Sequence, residues 1–114
     1  MAAPELVGNE ETPVVFVIED DNSICEAIRI FLEAEGKRVE TYPSAEAFLR
    51  AWNPGGKGCL LLDVKLPGMD GLDLLKHLKA EGRSLPVIMI SGHVDIQTAV
   101  QAMRAGAADL ILKP

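Results

Sequence analysis

The stretch Val14-Val15-Phe16-Val17-Ile18-Glu19-Asp20-Asp21 decides the fold: five apolar residues run without alternation straight into three acids. A run this short and unbroken suits a strand buried on both faces of a parallel sheet better than a helix. The same form recurs as CLLL (59–62) before Asp63, VIMI (87–90) before Ser91 and LIL (110–112) before Lys113. A fifth segment, Arg38–Tyr42, alternates more and reads as an edge strand. Helical stripes fill the intervals. Ile24, Ala27, Ile28, Phe31 and Leu32 recur at three- and four-residue steps ahead of Gly36, and Asp21 or Asn22 is placed to cap them. Ala45, Phe48, Leu49 and Trp52 follow a Ser44 cap and end at the breaker Asn53-Pro54-Gly55-Gly56. Leu72, Leu75 and Leu78, with Leu74 beside them, stop near Gly82; Ile96, Ala99, Val100 and Met103 lie between an Asp95 cap and Gly106. Such stripes are expected to face a core rather than a cofactor.

The order is β-α-β-α-β-α-β-α-β, which implies a parallel sheet with helices on both faces and right-handed crossovers. In sheets of this kind ligands bind outside the carboxyl ends of the strands. The residues to weigh are therefore Glu19, Asp20 and Asp21 after the first strand, Asp63 after the third, Ser91 after the fourth and Lys113 after the fifth.

Composition narrows the field. A chain of 114 residues fits one domain, and 48% hydrophobic residues suffice for a core that Leu, Ile, Val and Ala must fill, since aromatics make up only 4%. A net charge of -6 disfavours duplex nucleic acid and anionic lipid surfaces as direct partners. Cys25 and Cys59 show no metal-like spacing and are expected to be buried thiols, in keeping with a reducing, cytoplasmic location. No apolar run approaches the ~20 residues that span a bilayer. Residues 1–12 lack a basic start and an apolar centre, and read as a flexible tail rather than a signal peptide.

Glu19, Asp20 and Asp63 crowded together would repel one another, and a hard divalent cation removes that conflict. Mg2+ takes oxygen ligands and needs only one or two carboxylates beside its waters. A carboxylate such as Asp63 can attack phosphorus to give an acyl phosphate. Ser91 could donate a hydrogen bond to a phosphoryl oxygen, and Lys113 could pair with Asp63 before transfer and with the phosphoryl group after it. Each residue alone has a duller explanation as a turn residue, a cap or a solvated cation; their order along the strand ends carries the reading.

Together the motifs IEDD (18–21), LLDVKLPGMDG (61–71), MISGH (89–93) and AGAADLILKP (105–114) resemble the receiver domain of bacterial two-component response regulators, from residue 13 to 114. The segments at 44–49 and 91–114 look nearest to the nitrogen-fixation and nitrogen-regulation transcriptional branches. The resemblance implies a flavodoxin-like, doubly wound five-stranded parallel sheet of order 2-1-3-4-5. It implies Asp63 as phosphoacceptor, and Mg2+ held by Asp20 directly, by Glu19 through water, by Asp63 and by the backbone carbonyl of Lys65. It further implies Ser91 and Lys113 as contacts of the phosphoryl group, a cis Lys113–Pro114 bond, a sensor histidine kinase as donor, and an output face on the fourth helix and fifth strand. The expected role is a signalling switch, not an enzyme with a diffusible substrate.

Two departures accompany the resemblance. Leu110 stands where the family commonly has an aromatic residue. The family's last helix has no counterpart before residue 114, so apolar strand surface is expected to be bare. That points to a segment of a longer regulator without its output domain, destabilised or covered by self-association as a homodimer or by domain exchange. A phosphatase with an aspartate nucleophile fits less well, because Lys65 stands where such sites carry a second Asp. A flavin carrier fits less well because EDD would repel the flavin phosphate. A receiver that no longer uses phosphate is the remaining rival.

Overall fold

The computed structural model describes residues 13–52, 57–82, 85–93 and 95–113. The expected tail at 1–12, the breaker at 53–56 and the Lys113–Pro114 bond lie outside those residues. Five strands, β1 (Val14–Ile18), β2 (Arg38–Tyr42), β3 (Gly58–Asp63), β4 (Val87–Ser91) and β5 (Asp109–Leu112), alternate with α1 (Asn22–Ala34), α2 (Ala45–Ala51), α3 (Gly71–Ala80) and α4 (Ile96–Arg104). The sheet is parallel throughout, in the order β2-β1-β3-β4-β5. This is the flavodoxin-like arrangement expected, with β2 at one edge.

Alternation along the central strands sends side chains to two unlike faces. On one face Phe16, Ile18, Leu60, Leu62, Val87 and Met89 pack with Phe48 of α2, Leu74, Leu75 and Leu78 of α3 and Ala102 of α4 into a single closed core. Phe48 sits among Phe16, Tyr42 and Trp52, edge-on to the first two and stacked on the third, so four of the chain's five aromatic side chains gather where α2 meets the sheet.

On the other face Ile111 and Leu112 are exposed, as expected of bare strand surface, but the α1 stripe departs from its expected core role. Only Cys25 of α1 is buried, and Phe31 is 66% exposed. The α1 stripe forms one wall of an apolar groove of about 530 Å³, whose floor is Leu61, Ile88, Ile90 and Ile111. On α4 the stripe also points outward: Ile96 is 84% exposed, Val100 and Met103 are exposed too, and Ala102 supplies the buried contact. Helical spacing identified both helices but not which apolar side chains find a partner. Cys25 is buried as expected, whereas Cys59 is only half-buried; burial is the largest cause pushing both thiols above the ordinary range.

Helix starts are set by short polar side chains. Asp21, not Asn22, caps α1, accepting from the backbone N–H of Ser23 and Ile24. Ser44, Asp70 and Asp95 cap α2, α3 and α4 in the same way. Gly71 opens α3 directly behind the end of β3, where a Cβ would stand 2.1 Å from the Asp63 carbonyl oxygen; no other residue fits that approach.

Candidate phosphoryl and metal site

Each strand of the sheet's middle delivers its last residue to one edge. Glu19 follows β1, its N–H donating to Tyr42 O at 3.1 Å, and its side chain is only 1% exposed. Glu19 Oε2 accepts from the Asp21 N–H at 3.1 Å. Because Asp21 faces α1 as its cap, Asp20 is left exposed at the rim. Asp63, 3% exposed, ends β3, and Ser91, also buried, ends β4. Lys113 follows β5 and is tied to β4 by its N–H donating to Ser91 O at 2.8 Å.

These residues and Lys65 line one open cleft of about 390 Å³, together with Asp21, Ile24, Gly92 and His93. Its centre is Asp63. Oδ2 accepts from Lys113 Nζ at 2.9 Å, and Oδ1 accepts from the Lys65 N–H at 3.2 Å. Lys113 Nζ also lies 2.8 Å from Glu19 Oε1, an ion pair that spans the two buried carboxylates. Burial on its own would lower the Lys113 pKa, but the bonds and negative charges of Glu19 and Asp63 outweigh it and hold the ammonium above its ordinary value.

Glu19, Asp20 and Asp63 can each present a carboxylate oxygen such that all three lie within 4.8 Å of one another. An all-oxygen donor set, two members buried and one at the rim, fits a hard divalent cation that keeps waters on its open side. Lys113 already offsets part of the charge, so the cluster is compatible with folding before any cation binds.

The Ser91 hydroxyl does not face Asp63 through a bond of its own. It donates to the His93 carbonyl oxygen at 2.6 Å and accepts the His93 N–H at 3.2 Å, closing a tight turn ahead of α4. The His93 ring is exposed at the rim, 3.9 Å from Asp95 Oδ2. His77 lies on α3, 3.2 Å from Glu81 Oε2.

Two features were not foreseen from the sequence. One is the Glu19–Lys113 pair, for which the order of strand ends was the available signal. The other is Glu46 on α2, whose Oε2 accepts from the Met69 N–H at 2.9 Å. No spacing rule joins residues 23 positions apart on different elements.

Residues 15–114 match the family described as "response regulator receiver domain". Over 106 residues the chain is 42% identical to the response regulator protein TodT of Pseudomonas putida, covering 93% of this chain and 47% of that protein. It is 45% identical over 104 residues to the transcriptional regulatory protein FixJ of Azorhizobium caulinodans, covering 91% of this chain and 49% of that protein. Among solved structures, the response regulator StyR superposes with a TM-score of 0.84 at 42% identity, over 90% of this chain and 52% of that one. The chain thus spans about half the length of the curated relatives it matches.

Proposed function

The chain belongs to the response regulator receiver domain family of two-component signalling, and on that premise we propose that Asp63 accepts a phosphoryl group, with Mg2+ at Glu19, Asp20, Asp63 and the Lys65 carbonyl, and thereby switches an output, transcription. The supporting observation is the setting of Asp63. It is a buried carboxylate with one oxygen on the Lys113 ammonium and the other on the Lys65 N–H, inside a cluster of acidic oxygens at most 4.8 Å apart.

The donor class is a phosphohistidine on a sensor kinase. An Asp63 oxygen forms a bond to phosphorus as the phosphorus–nitrogen bond of the donor breaks, and the electron pair of that bond leaves with the imidazole, which takes up a proton. A bound Mg2+ supplies charge neutralisation and orientation for the transferring group. Lys113 holds Asp63 beforehand and is placed to follow the new negative charge onto the phosphoryl oxygens. Asp20, exposed and free of Lys113, is the rim ligand; Glu19, buried against Lys113 and the Asp21 N–H, acts from behind.

Ser91 links chemistry to shape. Its hydroxyl proton is committed to the His93 carbonyl. Donating it to a phosphoryl oxygen breaks that bond and releases the turn that leads into α4. Phosphorylation then favours a second arrangement of the turn, α4 and β5 because only there does Ser91 gain the new acceptor. The exposed Ile96, Val100 and Met103 on α4 form the output face. A cytoplasmic location agrees with this role, and among the described residues no helix is long and apolar enough to cross a membrane.

The test is intact mass after treatment with acetyl phosphate and Mg2+, whose phosphoryl group is transferred by breaking its carboxyl phosphorus–oxygen bond. Wild type should gain one phosphoryl group and Asp63→Asn none. A folded wild type without the adduct would remove the phosphoacceptor reading in favour of a receiver that has given up phosphate; an equal adduct on Asp63→Asn would move the acceptor elsewhere.

A further inference from the structure

The segment between β3 and α3, residues 64–70, brings Lys65 to the lining of the cleft, and its backbone is fastened at four places, the first being the Val64 N–H donating to Ile90 O at 2.9 Å. Near its start, the Lys65 N–H is bonded to Asp63 Oδ1, while the Val64 carbonyl accepts the Gly71 N–H at 2.9 Å and closes the loop. Val64 and Leu66 are buried, whereas Lys65, Pro67 and Gly68 are exposed. At its far end the Met69 N–H reaches out to Glu46 Oε2 on α2. Glu46 therefore binds the loop to an element that contributes nothing else to the cleft.

The fit around this carboxylate is close. Gly68 has φ +73°, and a Cβ there would lie 2.7 Å from Glu46 Oε2. The loop thus adopts a conformation that favours glycine at the point where it passes beneath the carboxylate. The Met69 N–H is also the leading cause holding the Glu46 carboxyl below the usual carboxylate range. Glu46 stands in the first turn of α2, where a negative charge is also favoured by the helix end. Those two roles, a tether and a helix-end charge, make opposite demands on a replacement.

We propose that Glu46 is a positioning residue for the metal site: by holding the Met69 backbone, it fixes the 64–70 loop and with it the height of Lys65 over Asp63. This rests on the proposed Mg2+-dependent acceptor role of Asp63. Loss of the tether leaves the loop closed by the Gly71–Val64 bond and held by its buried side chains, but frees the stretch from Leu66 to Asp70 between those anchors, so a ligand on Lys65 must be ordered when the cation binds. The cost falls on Mg2+ affinity and not on the reactivity of Asp63 once the cation is in place.

The test compares wild type, Glu46→Asp and Glu46→Gln in the full chain. Glu46→Asp keeps the charge at the helix end and, one methylene shorter, withdraws the carboxylate from Met69. Glu46→Gln keeps an oxygen acceptor at full reach and removes the charge. The readouts are the Mg2+ concentration giving half-maximal adduct formation with acetyl phosphate, the rate at saturating Mg2+, and amide exchange of Met69 without metal.

Glu46→Asp should raise the half-maximal Mg2+ concentration about tenfold, restore the wild-type rate at saturation and speed Met69 exchange. Glu46→Gln should stay close to wild type in all three. The reverse pattern would show that only the helix-end charge matters and would overturn the proposal. So would wild-type behaviour of both variants, or equal impairment of both. If wild type forms no Mg2+-dependent adduct, the acceptor reading itself fails and the metal role of Glu46 with it, while Met69 exchange still reports whether the tether exists.

Discussion

Lys113 bridges two carboxylates that are almost wholly buried, Glu19 and Asp63, and the three side chains are worth more together than separately. Removing the ammonium leaves both acids facing each other without a counter-charge, so Lys113→Met should lower stability by about 2 kcal/mol in metal-free buffer. The pH dependence has a definite sign. The folded-state pKa of Lys113 is raised by Glu19 and Asp63 against the opposing effect of burial. Its stabilisation is therefore complete below the unfolded value of about 10.4 and is lost as pH rises through the higher folded value. Urea melts of wild type and Lys113→Met should differ by a constant amount from neutral pH to about 10 and converge above that window. A gap that persists unchanged as pH rises through the folded value would mean that the Lys113 charge is not what stabilises the pair. The candidate ligands themselves were legible from sequence because each ends an apolar run, and a parallel sheet gathers such ends on one edge. The geometry among them was not. That Lys113 reaches Glu19 as well as Asp63, and that the Ser91 hydroxyl is occupied by His93, depend on angles at strand ends that no periodicity encodes.

Strands and helices were read well where composition alone defines them, and less well where tertiary contact does. β1, β3 and β4 are short apolar runs with a polar stop, so their limits followed from the stops; β2 and β5 alternate or are exposed, and yet pair in register through the sheet. The caps Ser44 and Asp95 were legible because an N-cap is a local bond between a side chain and a backbone three residues on. Covered and uncovered helix faces were not, since Phe31 and Leu74 have the same pattern around them and opposite surroundings. The junction of β3 with α3 shows what an element boundary can demand. Gly71 begins α3 against the Asp63 carbonyl oxygen, with Met89 Cε 3.0 Å from the position a Cβ would take. Gly71→Ala should destabilise the chain by about 3 kcal/mol and slow adduct formation, because the backbone of Asp63 must move to admit a methyl group. Gly92, which lines the cleft around Asp63, has nothing within 4 Å of its Cβ position. Gly92→Ala should therefore melt close to wild type, and thermal melts of the two variants measure the contrast.

Among the described residues, the sheet has a closed core on one face and an apolar groove on the other. The core between the sheet and α2, α3 and α4 is closed, with Phe48, Leu60, Leu62, Leu74 and Met89 fully buried. Across the sheet, the groove between α1 and β5 leaves Phe31, Ile111 and Leu112 exposed beside a floor of Leu61, Ile88 and Ile90. A contiguous apolar surface of this kind is a place where another apolar surface gains by docking. In solution, copies of this chain should associate through it, and light scattering should give an apparent mass that rises with concentration. Phe31 is 66% exposed beside the groove and takes no part in the closed core, so Phe31→Lys adds a charge to this face without disturbing that core. Losing the burial of one such ring is worth about 2 kcal/mol, so the variant's association constant should fall at least tenfold while any adduct formation with acetyl phosphate keeps the wild-type rate. A wild type that scatters as a monomer at every concentration would show that this face does not join copies. A variant that associates as tightly as wild type would place the contact elsewhere, and the exposed stripe Ile96, Val100 and Met103 on α4 is the next surface to charge.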